Sequence, residues 1–193
     1  MHEQVFLICI GALISSFAYV FHKLVDRWLD NTGDVTIYRK LVYEKNSDKR
    51  PSGIYNMNGE IVMRLPIWIE IQNMKKTPVI IRDFGVVLYK KGRRIKKMKQ
   101  INYQKDNTKK DSVLVYYGDN GRYSFIIPSE SIRAFDLLFV LKKTECPSDF
   151  DEINITYYNQ KNKFIKVSLK KVEKSWALQQ FDVDEDWVEV NKF

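Results

Sequence analysis

Trp68-Ile69-Glu70-Ile71-Gln72-Asn73 alternates apolar and polar side chains with a period of two. One face of such a segment suits a core and the other suits water, which is the pattern of a half-buried β-strand. The stretch decides the fold class because nothing after Gly33 carries the 3.6-residue period of a long helix. Phe164-Ile165-Lys166-Val167-Ser168-Leu169-Lys170 repeats the alternation near the other end of the chain. Strands are predicted over Asp34–Tyr43, Gly59–Asn73, Val79–Lys90, Arg94–Tyr103, Ser112–Tyr117, Tyr123–Ile127, Ala134–Leu141, Ile153–Tyr158 and Phe164–Lys170. Val113-Leu114-Val115 and Leu137-Leu138-Phe139-Val140-Leu141 are apolar on both faces and are expected to be central. Turn residues punctuate the run at Lys91-Gly92-Arg93, Gly118-Asp119-Asn120-Gly121 and Asn159-Gln160-Lys161-Asn162. Pro78 opens a strand and Pro128 closes one, where a missing donor is tolerated.

The expected fold is an all-β domain over residues 33–178, a two-sheet antiparallel sandwich with a small β-barrel as the alternative. The strand through Trp68–Asn73, the four-residue connection and Pro78-Val79-Ile80-Ile81 resemble the opening of immunoglobulin-like sandwiches that follow bacterial membrane anchors. Ile126-Ile127-Pro128 and the hairpin from Tyr157 to Phe164 fit the same outline. The Cys…Trp…Cys core of true immunoglobulin domains is absent. The resemblance therefore implies a fold and a binding or assembly role, and it implies no catalytic residue.

Residues 1–32 have a different character. Val5 to Phe21 is seventeen residues without a charge, roughly 25 Å of helix and at the short end of what crosses a bilayer. Lys23, Arg27 and Trp28 follow it as interfacial residues would. The expectation is a single-pass transmembrane helix placing the protein in the cell membrane. The positive flank predicts a cytoplasmic C-terminal domain. The competing reading is a secretory signal cleaved near Ala18, against which stands an N-terminal flank, Met1 to Gln4, without Lys or Arg. Leu24, Val25, Trp28 and Leu29 recur at helical spacing, extending the helix until Asn31-Thr32-Gly33 stops it. Gly11 and Ser15 place small residues one turn apart, the spacing through which two such helices form a homo-oligomer.

Much chemistry is excluded by composition. The two histidines, His2 and His22, both flank the apolar run, so the domain lacks the base of Ser-His-Asp or Cys-His catalysis and the usual zinc ligand. Cys146 is the domain's single thiol. Asp182, Asp184 and Asp186 mimic the start of a calcium loop, but Trp187 stands where Gly is required and Phe193 where Glu is required. Asn154-Ile155-Thr156 is a formal glycosylation sequon inside a predicted strand. The protein is expected not to be an enzyme and to use no cofactor and no metal.

Two charged segments remain as candidate binding sites. Lys90, Lys91, Arg93, Arg94, Lys96, Lys97 and Lys99 lie within ten residues that contain no acid, and Lys105, Lys109 and Lys110 extend the cluster. A protein partner, anionic lipid and a nucleotide's phosphates all suit it electrostatically; a solvated sheet edge guarded by lysines is the plain alternative. The C-terminal tail, residues 179–193, alternates acids with Phe181, Trp187 and Phe193, the composition of a partner-docking peptide. It also suits a strand docked on this protein's own sheet. The functional expectation is a membrane-anchored binding or scaffold protein. The alternative is a sensor for a phosphorylated small molecule, by analogy with short bacterial defence effectors that join membrane helices to a nucleotide-sensing barrel.

Overall fold

The computed structural model describes residues 2–30, 32–45, 49–104, 113–116 and 124–193. Among these residues a helix, α1 (His2–Asp30), precedes thirteen strands. They are β1 (Val35–Leu41), β2 (Gly53–Met57), β3 (Glu60–Asn73), β4 (Val79–Lys90), β5 (Arg93–Lys97), β6 (Lys99–Gln104), β7 (Val113–Tyr116), β8 (Phe125–Ile127), β9 (Ser131–Lys142), β10 (Glu152–Tyr158), β11 (Phe164–Lys171), β12 (Gln179–Gln180) and β13 (Val188–Lys192). All ladders are antiparallel. They form two sheets, consistent with a β-sandwich. The first runs β12-β2-β3-β9-β6-β7, with β1 on β3 and β13 on β1; the second runs β11-β10-β4-β5, with β8 on β4.

β3 is the spine. One edge pairs with β9 from Val62 to Asn73. The other edge is shared end to end, β2 taking Glu60–Arg64 and β1 taking Ile67–Asn73. Pro66 falls in the gap between those two partners, so its missing N–H costs no ladder bond. Its carbonyl is still used, accepting from the Val42 N–H at 3.2 Å. Alternation works as the sequence implied: Ile67, Ile69 and Ile71 are buried and Trp68 stands half-exposed on the outer face. Val86, Leu88, Ile153, Ile155 and Tyr157 from the second sheet complete the core.

Three polar devices close the structure. Glu44 and Arg64 are both buried and paired through two parallel hydrogen bonds, a geometry that offsets their desolvation. The buried amide of Asn73 donates to the carbonyls of Thr77 and Pro128 at 2.9 and 2.8 Å, and its oxygen accepts from the Lys75 N–H at 3.1 Å. The end of β3, the start of β4 and the end of β8 are thereby tied together. Across the sandwich, Asn191 of β13 donates to the Tyr157 hydroxyl of β10 at 2.8 Å.

Several expectations are corrected. The strand predicted over Arg94–Tyr103 is two strands, because the chain leaves the second sheet at Met98 and joins the first. Met98 is buried and its N–H bonds to the Val86 carbonyl, which makes the corner. Val113-Leu114-Val115, expected to be central, forms β7 at the end of its sheet order. Asn154 is buried in β10, so its sequon is closed to modification. The turn at Gly118–Gly121 and the lysines 105, 109 and 110 lie outside the described residues.

Helix α1 is continuous through both predicted segments. Among the described residues, however, no helix is long and apolar enough to cross a membrane. The span expected from Val5 to Phe21 is not supported on that count. The side chains of Val5 to Cys9 lie outside the described residues, and beyond Phe21 the helix becomes charged with Lys23, Asp26 and Arg27. Leu13, Ile14, Phe17, Tyr19, Val20, Phe21 and Leu24 are all exposed, and α1 makes no extended contact with any strand.

Two outcomes follow for stability. Asn73→Asp replaces the donating amide with an acceptor facing carbonyls, and the β domain should lose about 3 kcal/mol in urea unfolding. Burial pushes the Tyr157 hydroxyl up to about 12 from 10.0, the Asn191 hydrogen bond opposing it. Between those values the unfolded chain releases a proton that the folded one keeps. Stability should therefore be intact below pH 10 and fall on the order of 1 kcal/mol per pH unit above it. Tyr157→Phe should flatten that alkaline slope.

Candidate functional site: the basic hairpin and the C-terminal strands

The hairpin β4–β5 carries the cations singled out in the sequence. Its turn is Lys91-Gly92 with φ of 48° and 78°, closing the pair Lys90↔Arg93. Positive φ at both positions is the two-residue turn whose twist matches the flanking strands; Gly92 adopts it freely and Lys91 at a cost. The Asp151 carboxylate fixes the turn by accepting from the Lys91 N–H at 3.0 and 3.2 Å.

The seven cations separate into two groups. Lys97 pairs with Asp83 and Lys99 with Glu145. Asp83 sits at φ 53° where the β10–β4 register slips, and the irregularity aims its carboxylate at Lys97. The other five, Lys90, Lys91, Arg93, Arg94 and Lys96, form no ion pair among the described residues, and all but the half-buried Lys90 are exposed. They crowd the tip and the terminal strand of the second sheet, where the Asp151 carboxylate at the Lys91 N–H is the acid that meets the turn among the described residues.

Strand direction places this tip. β3 ends at Asn73, opposite Val35 of β1, next to where α1 joins the domain. β4 starts at that same end with Val79 and runs to Lys90. Twelve strand residues span about 36 Å. The hairpin thus lies at the opposite end of the sandwich from α1, several screening lengths away at about 8 Å each in physiological salt.

The tail is folded onto the domain. β12 pairs with β2, and β13 pairs with β1. Phe181 is buried in the core, and the Phe193 backbone exchanges hydrogen bonds with Val35 at 2.8 and 3.0 Å. Trp187 lies on Trp68 with ring centroids 6.5 Å apart, and only Trp187 and Val188 of the tail's large apolar residues keep substantial exposure. The three aspartates diverge. Asp184 accepts from Arg39 and from the Leu41 N–H, while the Asp182 side chain is in solvent near Lys170.

Other candidates are inert in this geometry. Cys146 is buried, and burial pushes its thiol up, so it stays protonated at neutral pH. Among the described residues, no group of three His, Cys, Asp or Glu side chains is placed to hold a metal ion. On α1 the Ser15 hydroxyl donates to the Gly11 carbonyl at 2.8 Å, within its own helix. No protein-family model, curated protein or solved structure matches the chain.

The hairpin's stability and its charge are separable. Arg93→Glu with Arg94→Glu should shift unfolding by less than about 0.5 kcal/mol, since neither side chain forms an ion pair among the described residues. Lys97→Glu should cost more, because it sets a carboxylate against Asp83, and calorimetry of the two variants distinguishes these outcomes.

Proposed function

We propose that this protein is a non-enzymatic, membrane-anchored binding or scaffold protein. Its β domain is of immunoglobulin-like type and faces the cytoplasm. The run Val5 to Phe21 of α1 is the inserted segment. The described side chains from Ile10 to Phe21 are exposed and almost all apolar, a composition that suits a non-aqueous environment, and 29 residues reach about 43 Å, beyond the bilayer's hydrocarbon core. Lys23, Arg27 and Trp28 then lie at the headgroup level.

The observation that carries the reading is the position of the unpaired cations. Lys90, Lys91, Arg93, Arg94 and Lys96 project outward at the end of the sandwich remote from α1. At that distance the hairpin is presented to whatever approaches from the aqueous side. An acidic surface of a protein partner is the complementary chemistry, with Arg93 and Arg94 offering bidentate recognition of carboxylates. Backbone addition to β5 is disfavoured, because the ladder is irregular between Leu88 and Tyr89 and the strand is dense in cations. Side-chain charge therefore sets the recognition.

Crosslinking mass spectrometry on native membranes containing the full chain tests this. A partner should crosslink reproducibly through Lys90, Lys91 or Lys96, and Arg93→Glu with Arg94→Glu should reduce its recovery at least about tenfold, the loss expected from removing even one well-oriented charge contact. Unchanged recovery removes the hairpin from the interface. Loss of hairpin crosslinks on adding a nucleotide, with no protein captured, transfers the site to a phosphorylated small molecule.

A further inference from the structure

We infer that the end of the sandwich from which α1 leaves is itself a lipid-facing surface, seated on an anionic bilayer interface. This rests on the membrane reading of α1 and assigns a second, separate contact. Five large apolar side chains surround that end in solvent. Met74 follows β3 at 62% exposure, and Ile132, opposite Gln72 on β9, stands at 57%. Ile80 and Ile126 face each other across the β4–β8 ladder at 45% and 71%. Phe164, at the matching end of β11, is 44% exposed.

Lysines alternate with these groups. Lys75 and Lys76 occupy the β3–β4 connection, and Lys161 and Lys163 lie in the β10–β11 turn, which Arg82 joins to β4 by donating to Asn162. The acids nearby are Asp26 and Asp30 on the last turns of α1, which share a groove with Lys23, Arg27 and Lys76, together with Asp34 and Glu130. Asp34 is paired with Lys192 at 2.9 Å, and Glu130 stands opposite Lys75, whose carbonyl accepts from the Glu130 N–H at 3.0 Å. Long basic side chains around apolar tips are the composition that settles at headgroup level, the stems in the acyl boundary and the ammonium groups among the phosphates.

Continuity with α1 selects a bilayer over a protein as the occupant. The Met74 N–H donates to the Asp34 carbonyl at 2.9 Å. Gly33, at φ +107°, lies so close to the Met74 carbonyl that a Cβ would clash. Lys76 lines a groove with Lys23, Asp26, Arg27 and Asp30 of the helix. The loop that carries Met74, Lys75 and Lys76 is thus held against the anchor's last turn. The apolar residues are spread over both outer faces of one end and do not form one flat patch. A surface that surrounds the anchor's exit meets that distribution; a single docked protein does not.

The test uses the full chain, with Cys9→Ser and Cys146→Ser, reconstituted in phosphatidylcholine vesicles with or without about 30% phosphatidylserine. Nitroxide labels are placed one at a time at Met74→Cys and Ile126→Cys, with Lys143→Cys at the far end and Phe17→Cys in α1 as references. Accessibility to a water-soluble nickel chelate is read for each. At Met74→Cys and Ile126→Cys it should be at least about threefold below that at Lys143→Cys in the anionic vesicles, consistent with burial at the headgroup boundary. Adding Lys75→Glu and Lys76→Glu should restore it. Labels at 74 and 126 as accessible as 143, with 17 immersed in lipid, overturn the seat and leave the anchor standing. A label at 17 in water overturns the anchor reading and the seat with it. Equal shielding in both lipids overturns the anionic part of the inference.

Discussion

The ladder between β3 and β9 is the constraint on which the other features depend. β3 holds partners along both edges, and a strand used on both sides cannot slip by one residue without turning its buried isoleucines to solvent. That register places Ile67, Ile69 and Ile71 in the core opposite Leu137, Phe135 and Arg133. It also sets which connections meet at each end of the domain. The Asn73 amide then secures one end by donating to carbonyls of two other segments, Thr77 before β4 and Ile127 and Pro128 at the end of β8. A donor with two N–H groups is needed at that point, and neither an acid nor an apolar residue supplies them.

A sandwich with a fixed polarity has two chemically different ends. At one end α1 enters, and lysines of the β3–β4 and β10–β11 connections stand among exposed isoleucines and methionine. At the other, the tight Lys91-Gly92 turn brings five unpaired cations together, while Lys97 and Lys99 are held by acids of β4 and of the chain after β9. A strand's length separates the two surfaces, and salt screens charges far more closely than that. Their charges are electrostatically independent, and each surface accounts for part of the formal +8 charge.

Part of this was legible in the residues. β4, β10 and β11 lie within a residue of their predicted ends, because alternation and flanking turn residues agree there. β2 was missed although Asn58-Gly59 marks its turn, since Gly53-Ile54-Tyr55-Asn56-Met57 is short and weakly alternating. The split at Met98 was missed because a chain crossing between sheets keeps its strand-like composition throughout. For residues 179–193 a strand docked on the protein's own sheet was legible from the apolar residues, but not its partners: Arg39 donates to Asp184 and Lys40 to the Glu185 carbonyl.

The all-β class, the helix that precedes it, the absence of histidine from the β domain and the concentration of cations in one hairpin are readable from the residues alone. These follow from side-chain identity and local period, which need no partner to be read. Which cations pair with Asp83 and Glu145, the docking of Phe181 and Phe193 on the protein's own sheet, and the direction of the hairpin away from α1 emerge only on folding. Those are outcomes of pairing between segments far apart in the chain. Pairing of that kind depends on register and strand direction, which composition does not encode.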